Sequence, residues 1–477
     1  MGLGRTFISA TLALSLAACG GGGSTGGGNT GGGGGGGSSG GGGTSDTCSL
    51  ASRQDWALGQ LDEWYLFPSL LDKSVNGTGY NSLQAYIDAV VAPARAQNRD
   101  RYFTYITSIA EENALINSGS NAGFGVRLTY DVGARRVFVV EAFENAPAFA
   151  EGIDRGTEIL AVNGQSVTAL MANGGAQAVV NALGPSDPGV TRTLTIRQPG
   201  GSQSDISLTK TDYALDPISN RYGAKILDNG GTKVGYLNLR TFIVDSAKQQ
   251  LRDAFATFRT QGVTQVILDL RYNGGGLVSV AEVLGDLLAA DRTGQVFSRT
   301  LFRDSKSSYN EVRNFGAETQ AIAATRIAVI GTEGTASASE LVTNAFIPYL
   351  GANIALVGTD TYGKPVGQIA RDRSACDDRL RVVAFRSVNA DGGGDYYSGL
   401  ADVMPRTCRA ADDILKPLGD PQEASIATAL DFLAGRSCTA IGAVPGTTAK
   451  AGTAPSGREL MMPEAPSPAQ LEIPGLQ

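Results

Sequence analysis

The spacing of apolar positions changes character three times along the chain. Between residues 50 and 117 it is helical: Trp56, Leu58, Leu61, Trp64 and Tyr65 recur on one face, and so do Leu83, Tyr86, Ile87 and Val90. These aromatics are read as core. From Gly123 the texture turns to short strands with turns, first Val137 to Val140 and later the alternating Leu194, Ile196, Ile206 and Leu208. From about residue 213, buried-strand runs alternate with helical stretches. Val266-Ile267-Leu268 precedes a helical pattern from Leu277 to Leu288, and Ile327 to Ile330 precedes one from Ser337 to Tyr349. Ile354 to Val357 is a third such strand. Asp420-Pro421-Gln422-Glu423 reads as a helix start, with N-cap, first-turn proline and glutamate, for a helix running to Leu433. Repeated βα units predict a parallel sheet covered by helices, hence an α/β fold.

The two ends look different. Residues 20–43 hold 18 glycines in 24 positions, a stretch that cannot bury enough apolar surface to offset its ordering entropy. Residues 439–477 are rich in Pro, Ala, Gly and Thr with no sustained period, and are expected to be a disordered tail. The sections are therefore 1–18, 19–47 (flexible linker), 48–120 (helical), 121–212 (β), 213–438 (βα) and 439–477.

Residues 1–18 have the form of an export signal. Arg5 is the only charge before residue 46, and the apolar run Phe7 to Ala18 is too short to span a bilayer. It ends Leu16-Ala17-Ala18-Cys19, which resembles a bacterial lipobox. That resemblance makes Cys19 the lipidated N-terminus and membrane anchor of a cell-envelope protein, and Gly20 after it favours the outer membrane, facing the periplasm. Four cysteines remain, Cys48, Cys376, Cys408 and Cys438, which allow three disulfide connectivities or free thiols. Because Cys48 opens and Cys438 closes the folded region, 48–438 with 376–408 is the preferred pairing.

Charge and composition exclude more than they assign. With 39 basic and 46 acidic residues the net charge is −7, which gives no electrostatic basis for binding nucleic acid. There is no histidine. Ser/His/Asp and Cys/His catalysis are thereby removed, as are His-containing zinc sites, and no metal or cofactor is implied.

The β section carries a recognisable string: Asn145-Ala146-Pro147-Ala148, Gly152-Ile153, then Gly156-Thr157-Glu158-Ile159-Leu160-Ala161-Val162-Asn163-Gly164. It resembles a PDZ domain, with Thr157 where aspartate is usual. The resemblance implies capture of peptide C-termini by β-augmentation, with Gly123, Phe124 and Gly125 as the carboxylate-binding loop. The 439–477 tail could reach such a groove, but its terminal Gln477 is a poor apolar anchor and self-occupancy is not the expectation.

Sites in a parallel sheet form beyond the carboxyl ends of the strands. Three loops there are unusual: Asp269-Leu270-Arg271-Tyr272-Asn273-Gly274-Gly275-Gly276, Gly334-Thr335-Ala336-Ser337-Ala338-Ser339-Glu340, and Thr361-Tyr362-Gly363-Lys364-Pro365-Val366-Gly367-Gln368. Ser337 and Glu340 form a capping box, which alone accounts for both. Yet a serine at a helix N-terminus also lies where unpaired N–H groups can stabilise an oxyanion. Gly358 to Lys364 mimics a phosphate-binding loop, but Pro365 stands where a hydroxyl is required and that reading is rejected. Without imidazole, a serine nucleophile needs another base, and a desolvated lysine supplies one.

Taken together, the three loops resemble the carboxy-terminal processing (tail-specific) peptidases. The strings TASASE, TYGK…Q and DLRxNxGG stand here in that family's order, downstream of the PDZ-like section. The resemblance implies a crotonase/ClpP-like layered βα catalytic domain and a serine endopeptidase acting near the C-terminal tails of exported proteins. It implies Ser337 as nucleophile, Lys364 as general base and Gln368 as the residue orienting the lysine. It also implies an oxyanion hole from backbone N–H groups of Ala338 and of Gly275 or Gly276. The Ser–Lys separation of 27 residues is slightly long for the family, and an extra turn around Pro348–Ala352 could absorb it. The alternatives are a non-catalytic lipid-anchored protein that binds peptide C-termini, and an acyl-CoA enzyme of crotonase type, disfavoured because exported proteins lack that cofactor.

Overall fold

A computed structural model of the chain describes residues 47–442, 457–464 and 466–477. The signal, Cys19 and nearly all of the glycine-rich linker lie outside the described residues, as does 443–456. No helix among the described residues is long and apolar enough to cross a membrane.

The centre is a six-stranded sheet. The hairpin Ala224–Asn229 and Thr232–Asn238 pairs antiparallel, and then Gln265–Asp269, Arg326–Gly331, Ile354–Gly358 and Thr407–Arg409 add in parallel, in chain order. Successive side chains of a strand point to opposite faces. Val266, Leu268, Ile327, Val329, Ile354 and Leu356 accordingly enter one core with the helices Ala247–Thr260, Val278–Leu288 and Ala338–Leu350. Ile267, Ala328, Ile330, Ala355 and Val357 enter the other, against the helix Ala424–Leu433. Burial on both faces is why these strands read as continuous apolar runs. The helix Ala424–Leu433 begins later than expected. Its N-cap is Glu423, which accepts from the Ile426 N–H, because its carboxylate is also drawn to buried Arg271.

A second, five-stranded sheet was not visible in the periodicity. It joins Tyr105–Ser108, Asp378–Val388, Val296–Phe302 and Glu311–Asn314, with Val366–Arg373 paired to Asp378–Val388. The helices Leu50–Trp64 and Leu83–Val90 bury Leu61, Tyr65, Ile87 and Val90 against its Val366, Leu380, Val382 and Val383. The section 48–120 is thus not wholly helical, since it contributes the strand Tyr105–Ser108 to this second sheet.

The β section leaves and rejoins the rest through adjacent antiparallel strands, Ser120–Gly123 and Thr211–Ala214. Between them lies a sheet that includes Val126–Asp131, Arg136–Ala142, Glu158–Val162, Thr191–Arg197 and Gln203–Thr209. Asn163 and Gly164, both at positive φ, make its tight turn, and Ile153, Ile159, Val162, Leu194 and Ile196 fill its core. Buried charges clamp it in place: Arg240, from the central domain, pairs with Glu141 at 2.7 Å and Glu144 at 2.8 Å.

Two expectations are corrected. The disulfides are Cys48–Cys376 and Cys408–Cys438. The hairpin tip that carries Cys376 sits over the start of the first helix, where Arg53 pairs with Asp378 and Arg373 donates to the Ser52 carbonyl. Cys438 returns to the edge of the central sheet beside Cys408, with the Arg409 N–H donating to the Thr439 carbonyl. The second correction concerns the tail. Residues 457–464 and 466–477 are packed on the rest of the fold, with Glu459–Leu460 pairing to Thr129 and Tyr130, and a short helix over Pro468–Glu472. Met461, Ile473 and Leu476 are buried in apolar clusters, which is the burial that holds a segment of such poor periodicity.

Candidate active site

The three sequence-marked loops converge at the carboxyl ends of the central strands. Ser337 is the N-cap of Ala338–Leu350, with φ +55° and ψ −112°. This is a sparsely populated conformation for a residue with a β-carbon, held by what surrounds it. The helix continues through Pro348 to Leu350 and a 3-10 turn follows at Gly351–Asn353, which accommodates the long Ser–Lys separation.

Glu340 joins the serine loop to the lysine loop. Its Oε2 accepts from the Ser337 N–H at 2.9 Å and from the Lys364 N–H at 2.7 Å. Its Oε1 accepts from the Gly363 N–H at 2.7 Å and from the Thr361 hydroxyl at 2.6 Å. Burial pushes this carboxyl up, and the four donors oppose that by favouring the ionised form. A capping box was legible in the sequence; that the same carboxylate also gathers residues 361–364 was not.

Lys364 is 9% exposed. Its Nζ donates to Gln368 Oε1 at 2.9 Å and stands 5.1 Å from the centre of the Phe103 ring. Gln368 in turn donates to the Phe103 carbonyl. Burial pushes the ammonium below the ordinary lysine range; Glu472, Asp100 and Glu340 pull it back up, and Arg381 adds to the lowering. The N-terminal section therefore supplies part of the lysine's environment, through Asp100 and Phe103. No local spacing could have signalled that.

The glycine loop is positioned by Asn273. The Asn273 carbonyl accepts from the Ala336 N–H at 3.1 Å and the Ser339 hydroxyl at 3.0 Å, and its Nδ2 donates to the Leu239 carbonyl. Gly275 packs so tightly on the serine that a β-carbon there would lie 2.7 Å from Ser337 Cβ, and its φ is +119°. The Gly275 N–H, however, donates to Asn273 Oδ1 at 3.0 Å. Of the two glycines named for an oxyanion hole, Gly275 is thus already engaged, and Gly276 and Ala338 remain. A cavity of about 1150 Å³ opens beside this site, lined by Lys364, Tyr362, Ala336 and Gly274. Glu472 and Leu471 of the tail also line it.

At the proposed carboxylate loop, Phe124 is buried in the β-section core, and Gly125 has φ +73° with Ala146 where a side chain would go. The N–H groups of Gly125 and Val126 are taken by the Gln477 carbonyl oxygen, at 3.0 and 3.4 Å.

Comparison with known proteins agrees with these motifs. Residues 233–396 match peptidase family S41. The chain is 30% identical over 343 residues to the chloroplastic C-terminal processing peptidase of Tetradesmus obliquus, covering 64% of this chain and 67% of that protein. It is 27% identical over 304 residues to the carboxy-terminal processing protease CtpA of Bacillus subtilis (strain 168), covering 63% of this chain and 59% of that one. A putative S41 protease from Bacteroides fragilis NCTC 9343 shares the fold, with a TM-score of 0.62, 24% identity, and coverage of 80% of this chain and 97% of that one. The chain belongs to peptidase family S41, alongside the carboxy-terminal processing peptidases, and is a serine-type peptidase.

Proposed function

We propose that this protein is an endopeptidase that attacks with Ser337 and uses Lys364 as general base. The observation that carries the reading is the single carboxylate oxygen of Glu340 that binds the backbone of both residues. In this mechanism neutral Lys364 Nζ takes the Ser337 hydroxyl proton as Oγ adds to the scissile carbonyl. The oxyanion falls beside Gly276 and Ala338 at the helix N-terminus, where donors and the helix dipole favour negative charge. The protonated lysine then delivers its proton to the leaving amine, and water hydrolyses the acyl-serine by the reverse roles. Gln368 Oε1 aims the amine, and burial lowers its affinity for a proton.

Substrate choice follows from the β section, read as a PDZ domain. Its Gly123–Gly125 loop and the outer edge of Val126–Asp131, where residues 459–460 and 475–477 of the chain itself pair, suit an extended peptide ending in a carboxylate, as for a protein's C-terminal tail. Lipidation at Cys19 and a place in the bacterial envelope, at the outer membrane facing the periplasm, complete the proposal, on the strength of the lipobox-like string and the glycine tether. The test is hydrolysis of a denatured exported protein by the wild type, Ser337→Ala and Lys364→Arg. Both variants should be inactive, because arginine stays protonated at all useful pH. Retention of near wild-type activity by Lys364→Arg would refute the mechanism. Palmitate labelling of the wild type but not of Cys19→Ser tests the anchor.

A further inference from the structure

The tail-binding groove already has an occupant, the chain's own residues 457–477. One arm of the segment, Glu459–Leu460, pairs with Thr129 and Tyr130, and the Met461 N–H donates to the Leu128 carbonyl at 3.0 Å. The other arm lies along the first part of the same strand. The Leu128 N–H donates to the Gly475 carbonyl at 2.7 Å, the Gln477 N–H donates to the Val126 carbonyl at 2.9 Å, and the Gln477 carbonyl fills the Gly125 loop. The polar side chain of Gln477 is satisfied within the tail, its Nε2 donating to the Met461 carbonyl of the first arm at 3.2 Å.

Between the arms the segment crosses the candidate active site. The Glu472 carbonyl accepts from the Gly274 N–H at 3.1 Å, one residue from the glycine that packs on Ser337. The buried Glu472 lines the same cavity as Lys364, within electrostatic reach of it and of Arg381 and Glu112. This stretch is the helix Pro468–Glu472, closed by Ser467 and Gln470 as a capping box. A substrate held by β-augmentation runs extended. A helical turn at the cleft therefore occupies the substrate's place without presenting a bond in an attackable geometry.

We propose that residues 457–477 are a cis-bound inhibitory ligand, filling the groove and the approach to Ser337 and Lys364, which a substrate's C-terminal tail must displace. This rests on the reading of the groove and dyad given above. A tethered ligand competes at an effective concentration on the order of mM. A segment docked in ~90–99% of molecules lowers the apparent affinity for a free tail roughly 10–100-fold.

The test uses the full chain and a short quenched peptide with a free carboxylate. Ile473→Asp and Leu476→Asp each place a charge where the tail is buried; Asp253→Ala, at an exposed position of the helix Ala247–Thr260 away from groove and cavity, is the control. The expected result is a rise in kcat/KM of about tenfold or more for the two aspartate variants and none for the control. Addition of a synthetic 466–477 peptide should lower the raised rate again. Aspartate variants that fold like the wild type and show its kcat/KM would overturn the proposal. Should they fail to fold, hydrogen exchange on the full-length Ser337→Ala chain decides. Residues 473–477 should be protected and should lose protection as a competing C-terminal peptide saturates the protein. Exchange at the rate of an unstructured peptide, or protection indifferent to the competitor, overturns the idea. Failure of the peptidase reading looks different, since Ser337→Ala would then keep its activity.

Discussion

Glu340 is the group whose removal should do most damage without touching substrate. In Glu340→Ala, the N–H groups of Ser337, Gly363 and Lys364 all lose their acceptor in a buried place, and so does the Thr361 hydroxyl. Each buried donor left unpaired costs about 1–3 kcal/mol, so with four of them the variant should lose roughly 4 kcal/mol of stability or more. Glu340→Gln separates charge from shape. Its one carbonyl oxygen can serve Ser337 and Lys364, but its amide then faces the Gly363 N–H, donor against donor. The Thr361 hydroxyl cannot turn freely to help, because it already accepts from the Leu400 N–H at 2.9 Å. The two bonds lost, from the Gly363 N–H and the Thr361 hydroxyl, predict about 2–6 kcal/mol. If about 1.4–2.8 kcal/mol of that is lost from the alignment of Ser337 and Lys364, the rate should fall about 10–100-fold, since each 1.4 kcal/mol is tenfold. Urea unfolding measures the first quantity, and kcat on a quenched peptide the second. A Glu340→Ala variant within about 0.5 kcal/mol of the wild type and equally active would show that the carboxylate organises nothing.

Activity should rise with pH through the ionisation of Lys364, in a window below that of an ordinary lysine, because burial disfavours its charged form. The same lowered value means that the unfolded chain binds more protons between the folded and unfolded pKa values; stability from this group should therefore rise with pH across that window and be lost as pH falls through the folded value. Gly275→Ala should abolish activity and destabilise the fold, since its β-carbon would meet Ser337 Cβ at 2.7 Å from a positive φ; wild-type kcat in a folded Gly275→Ala protein would contradict the packing. Non-reducing peptide mapping should recover Cys48–Cys376 and Cys408–Cys438, and replacing the second pair by serine, which opens a 30-residue separation, should cost about 2–4 kcal/mol in urea unfolding.

Much of this molecule was decided locally and could be read in one dimension. The central strands are apolar on both faces, so Val266 to Leu268, Ile327 to Ile330 and Ile354 to Val357 stand out in the chain, and the loops after them carry Ser337, Lys364 and the glycines. The PDZ-like string was legible for the same reason: its turn at Asn163-Gly164 and its alternating strands need particular residues at fixed offsets. What escaped the sequence was whatever depends on two distant segments meeting. The second sheet joins Tyr105–Ser108 to Asp378–Val388, and only that pairing brings Phe103 to Lys364. Disulfide pairing escaped too, because a cysteine records nothing of its partner; the hairpin tip over the first helix selected Cys376 for Cys48. Glu340 shows both levels in one side chain, its capping role set by a three-residue spacing and its hold on Lys364 by how two loops pack. The tail is the extreme case. Residues 457–464 and 466–477 show no period because their own elements, a two-residue strand and a five-residue helix, are too short to carry one; their placement comes from a groove and a cleft formed by residues hundreds of positions earlier, whose strand edge and apolar walls exist only once the rest has folded.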